Sequence, residues 1–135
     1  MSESKPSWDD ENKLRAQGAL DSVIAMGKRL YDAREAEDDD EIERAETEIR
    51  EDVLEVTFFW KGTDKESAEF CKVELLLGFG GPNIRLVADA AKHDDVGDAD
   101  GAFLDFHWSG HVRVNVQYED VKHVQAYLDC FAYFG

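Results

Sequence analysis

Residues 103–116 read FLDFHWSGHVRVNV. Val112, Val114 and Val116 alternate with Arg113, Asn115 and Gln117, the period of two that sends successive side chains to opposite faces of a strand. Phe103 to Trp108 precedes them across Ser109-Gly110, so the stretch predicts a β-hairpin with one apolar face. A lone hairpin cannot bury that face, so more sheet and a covering layer are required.

Both lie nearby in the chain. Upstream, the apolar run Phe70 to Leu77 enters Gly78-Phe79-Gly80-Gly81-Pro82-Asn83, whose glycines and proline favour a turn. Ile84, Leu86 and Ala88 then alternate with Arg85, Val87 and Asp89, completing another hairpin. Ala91 to Gly101 is a polar loop. Downstream, Glu119 or Asp120 opens a helix in which Val121, Val124, Leu128 and Phe131 share a side and Tyr127, Tyr133 and Phe134 add aromatic bulk.

Toward the amino terminus the period becomes helical. Ser7 is placed to cap a helix, with Asp9, Asp10 and Glu11 at its positive end. Leu20, Val23, Ile24, Leu30 and Tyr31 recur at helical spacing, and Gly27 weakens the pattern without ending it. Ile42, Ala45, Ile49, Val53, Val56 and Trp60 form the stripe of a second helix, joined to the first near Ala36–Asp40. The expectation is an α+β fold of order α-α-β-β-β-β-α: a helical hairpin, a four-stranded, largely antiparallel sheet of two hairpins, and a C-terminal helix. Length predicts one domain over residues 1–135, with the acidic helical hairpin at 1–61 and the sheet and last helix at 62–135.

The 43% hydrophobic content suffices for a core. Cys71 and Cys130 stand apart, with no CxxC pair, and are expected to be free thiols in a reducing compartment. Met1 to Asp10 has no apolar core, and no apolar run approaches the ~18 residues of a membrane span. A soluble, cytoplasmic protein is expected.

Charge is the dominant feature. Thirty-one acids against fifteen bases give a net charge of −16, which repels nucleic acid and anionic membranes at long range. Eight lysines against seven arginines do not show the lysine depletion of a halophilic surface. Between Asp32 and Glu55 thirteen acids face only Arg34, Arg44 and Arg50, a net of −10. On a helix rising ~1.5 Å per residue, such carboxylates approximate the ~1.7 Å charge spacing of duplex DNA. The ordinary alternative is a solvated helix face with Glu–Arg pairs. A second cluster, Asp89, Asp94, Asp95, Asp98, Asp100 and Asp105 against Lys92, adds net −5.

Motifs for chemistry are weak. Asp98-Ala99-Asp100-Gly101 imitates a calcium loop, but with Gly101 at its sixth position the first is Val96 and the twelfth His107. His107 and His111 flank a tight turn at a spacing suited to zinc, without an evident third or fourth ligand. The apolar settings of both cysteines disfavour thiolates. Gly78 to Gly81 is followed by Pro82 and a strand, unlike a phosphate loop. No enzymatic activity, catalytic residue, metal ligand or cofactor is expected.

The segment Val73-Glu74-Leu75-Leu76-Leu77-Gly78-Phe79-Gly80-Gly81-Pro82, together with the closing Phe131-Ala132-Tyr133-Phe134-Gly135, resembles small proteins carried by phages and plasmids. The resemblance covers about half the chain, departs from it at Asp105 to Gly110, and rests on structural motifs. It implies a mobile-element origin. Acidic proteins of that kind include anti-CRISPR and anti-restriction inhibitors, several of them DNA mimics, and the resemblance transfers no functional residue. The expected role is occlusion of the nucleic-acid-binding surface of a CRISPR or restriction complex, with no direct nucleic-acid or membrane binding. The expected contact residues are Asp38, Asp39, Asp40, Glu41, Glu43, Glu46, Glu48, Glu51, Asp94, Asp95, Asp98 and Asp100. The alternative is an acidic adaptor or immunity-type protein that neutralises a basic protein.

Overall fold

A computed structural model describes residues 8–62, 69–78, 83–90, 96–107 and 110–131. In chain order these form helices α1 (Trp8–Glu35) and α2 (Asp39–Asp52), then strands β1 (Glu55–Lys61), β2 (Glu69–Gly78), β3 (Asn83–Asp89), β4 (Phe103–His107) and β5 (His111–Asn115). A 3-10 turn at Tyr118–Asp120 leads into α3 (Val121–Asp129). The strands make one sheet in the order β1-β2-β3-β4-β5, antiparallel throughout.

The α+β class is as expected, but the described sheet has five strands and not four. The second helix ends at Asp52, where Val53 is already extended at φ −92° and ψ 122°. Val53, Val56 and Trp60 fit a helical step, yet Val56-Thr57-Phe58-Phe59-Trp60 is an unbroken β-branched and aromatic run, which suits a pleated surface. Pairing with β2 decides between the two periods. Val56 lies opposite Leu75 and Phe58 opposite Val73, giving the apolar side chains of β1 buried neighbours.

The register sorts the sheet into two faces. Val73, Leu75, Leu86, Ala88, Leu104, Phe106 and Val112 belong to one buried cluster with Ala16, Leu20, Val23 and Leu30 of α1, Ile49 of α2, and Val124 and Leu128 of α3. The expected alternation in β5 is present: Val112 is buried while Arg113 and Asn115 are exposed. The opposite face carries Glu74, Arg85, Asp105 and Arg113, the last three in cross-strand register.

Two contacts lock the helices. Asn12, Ala16, Leu20, Val23, Gly27 and Leu30 step along one buried side of α1. A Cβ at Gly27 would collide with the backbone carbonyl of His123, so glycine allows α1 and α3 their close approach. The Tyr127 hydroxyl donates to Asp52 Oδ2 at 2.7 Å, joining α3 to the end of α2. The Gln125 side chain bridges α3 to the 97–99 segment, donating to the Gly97 carbonyl and accepting from the Ala99 amide, both at 2.8 Å.

Cys71 and Cys130 are free. Among the described residues no helix is long and apolar enough to cross a membrane. The Ser7 cap, the turn residues Phe79 to Pro82, Trp108 and Ser109, and the aromatic Tyr133 and Phe134 lie outside the described residues.

Candidate functional site

The α1–α2 corner concentrates the acidic charge. Seven carboxylates fall between Glu35 and Glu43 with no intervening base, and all but that of Glu41 belong to exposed residues. The corner is built locally. Asp38 N and Glu37 N donate to Ala33 O and Arg34 O, each at 3.1 Å, closing the last turn of α1. Glu37 takes a left-handed φ of 54°, a position where glycine is ordinarily favoured. Asp38 caps α2 by accepting from the Glu41 amide at 3.2 Å. Asp39, Asp40 and Glu41 then occupy the first turn, at the positive end of the helix dipole.

Arginines divide the expected contact residues of α2 into two groups. Arg29 of α1 pairs with both Glu41 and Glu48, and Glu46 lies between Arg34 at 3.5 Å and Arg50 at 3.3 Å. These three glutamates join α1 to α2 or compensate charge along α2. Asp39, Asp40, Glu43 and Glu51 are exposed and make no ion pair among the described residues. In the loop before β4, Asp98 Oδ1 accepts from the Asp100 amide at 3.0 Å, so Asp98 shapes its own turn while Asp100 is exposed. Asp94 and Asp95 lie outside the described residues.

A second constellation sits on the outer face at the β4–β5 hairpin. His107 and His111 are direct cross-strand partners, their rings stacked at 4.3 Å and 14°. Asp105, two residues before His107, projects to the same side. Its Oδ2 lies 3.2 Å from His107 Nε2, and its Oδ1 contacts His111 Nε2. One ligand atom from each of the three residues falls within 4.8 Å of the others. The candidate third donor missed from sequence is Asp105, and the signal was its i,i+2 placement beside His107 on a strand that turns back at His111.

Elsewhere, titrating groups are shifted by their surroundings. The hydrogen bond from Lys28, at 2.6 Å, holds the Asp32 carboxyl below its usual range. Burial, reinforced by the hydrogen bond to Asp52, pushes ionisation of Tyr127 far up. Burial, with Glu46 adding to it, pushes the Cys130 thiol up to about 11. A thiol so raised stays protonated at neutral pH.

No protein-family model, curated protein or solved structure matches this chain.

Proposed function

We propose that this chain is a non-catalytic inhibitor that sets the carboxylates of its α1–α2 corner into a Lys- and Arg-lined nucleic-acid groove and so keeps nucleic acid out. The intended target is a CRISPR or restriction complex, a choice that rests on the resemblance to phage and plasmid proteins. The observation that carries the proposal is the corner itself: seven acids in nine residues, six of them exposed, on two helices joined by a hydrogen-bonded turn. A preordered array loses less conformational entropy on binding than a loop that must first be fixed. Glu37 adds support, since an acid occupies a backbone position that glycine would fill with less strain.

The contact surface is narrower than charge counting implies. Glu41, Glu46 and Glu48 are engaged by arginines of the same chain, leaving Glu35, Glu37, Asp38, Asp39, Asp40, Glu43 and Glu51 to meet a partner. Capture of the partner from host lysate, followed by competition with DNA or RNA, tests the mechanism. Release of the partner by nucleic acid supports occlusion. A ternary complex with nucleic acid still bound overturns it in favour of an acidic adaptor or immunity-type protein.

A further inference from the structure

We propose that Asp105, His107 and His111 form a binding site for a divalent transition-metal ion of the zinc class. Two imidazole nitrogens and a carboxylate oxygen form a borderline donor set, which suits zinc, nickel or copper and not the all-oxygen preference of calcium or magnesium. The atoms already converge, with all three ligand atoms within 4.8 Å of one another and His107 Nε2 3.2 Å from Asp105 Oδ2. Metal–ligand bonds of about 2.0–2.2 Å place tetrahedral ligand atoms roughly 3.3–3.6 Å apart. Small rotations of the two half-exposed rings, at 51% and 48% side-chain exposure, bring both lone pairs onto one ion.

The surroundings of Asp105 favour this over an arginine ion pair. Its direct cross-strand neighbours are Arg85 on β3 and Arg113 on β5. Neither pairs with it among the described residues. Arg85 Nε donates to Asn83 at 3.0 Å, its other end reaches Glu74 at 3.5 Å, and Arg113 lies over the Phe103 ring at 3.8 Å. With both guanidiniums engaged elsewhere, the carboxylate turns to the two imidazoles. Three protein ligands on an exposed hairpin leave a coordination position for water or for a donor from a partner. The net charge of −16 raises the local cation concentration.

The test uses the full chain and zinc ion alone. Calorimetric titration of the parent in a non-chelating buffer is expected to show one saturable equivalent that excess magnesium does not displace. Asp105→Asn, His107→Ala and His111→Ala should each weaken it by at least about tenfold, while Glu43→Gln with Asp100→Asn leaves it unchanged. Nuclear magnetic resonance of the parent with substoichiometric copper(II) needs no folded variant: the signals of His107 and His111 should broaden first. Titration without a saturable equivalent, unchanged affinity in a folded ligand variant, or first broadening at the α1–α2 corner would overturn the proposal.

Discussion

The Tyr127 hydroxyl donates to the Asp52 carboxylate at 2.7 Å across 75 positions of sequence, from the last turn of α3 to the last residue of α2. The ring is fully buried, so the bond fixes where α2 stops and the chain turns toward β1. Tyr127→Phe keeps the packing and removes a hydrogen bond to a charged acceptor, an expected loss of about 1.5–3 kcal/mol. Tyr127→Ala adds a cavity and should cost about 3–5 kcal/mol. Urea unfolding measures both, and an unchanged midpoint for Tyr127→Phe would show that the bond contributes nothing.

Two glycines of α1 should respond to alanine in opposite directions. An added Cβ at Gly18 meets nothing within 4 Å, so Gly18→Ala is expected to stabilise by up to about 1 kcal/mol through helix propensity. At Gly27 the same methyl strikes the His123 carbonyl, and separating α1 from α3 should cost about 1–3 kcal/mol or more. Thermal unfolding of the two variants is the check. Matching shifts would mean that the helices do not approach as described.

Alkaline pH should destabilise the fold through two groups. Cys130 ionises at about 11 in the folded chain against 9.0 for the unperturbed thiol, and Tyr127 is also raised, from 10.0, by burial and Asp52. A raised folded value means that the unfolded state releases its proton first. The stabilisation is therefore whole below pH 9 and is lost as pH rises toward 11 and beyond. Urea midpoints measured from pH 8 upward should fall across this range, less steeply in Tyr127→Phe. Iodoacetamide should label Cys130 more slowly in the native chain than in urea at pH 8.

Glu37→Gly separates stability from binding. Glycine removes the left-handed strain at φ 54°, worth roughly 1 kcal/mol before glycine's own entropy cost is subtracted. The variant should be as stable as the parent or slightly more so, yet bind a basic partner less well. Equal binding would remove Glu37 from the contact surface.

How much was legible in the sequence depended on whether the decisive interaction was local. The β4–β5 hairpin was legible because Val112 to Asn115 alternate in burial as they alternate in polarity. The corner was legible because the charge run and the break in apolar periodicity near Ala36–Asp40 are properties of neighbouring residues, although the Asp38 cap that starts α2 was not read. β1 was not, since Val53, Val56 and Trp60 satisfy a helical step and only the pairing of Val56 with Leu75 and Phe58 with Val73 decides against it. The reach of Arg29 to Glu41 and Glu48, 12 and 19 positions away, follows from how α1 packs on α2. Asp105 was counted with the loop acids, although β-sheet register puts it beside His107 and His111.

Two charge-reversed proteins decide whether the carboxylates of the corner and the exposed face of α2 stand in for phosphates. One carries Asp39, Asp40, Glu43 and Glu51 replaced by Lys, sparing the Asp38 cap and the three glutamates held by arginines. The other carries Asp98 and Asp100 replaced by Lys. Once circular dichroism shows both folded, inhibition of the captured partner's DNA or RNA binding is measured at physiological salt, where screening acts beyond about 8 Å. The helix set should lose inhibition by at least about tenfold, or about 1.4 kcal/mol, while the loop set stays close to the parent. Parent-like inhibition by the helix-reversed protein would mean that these carboxylates do not substitute for phosphates.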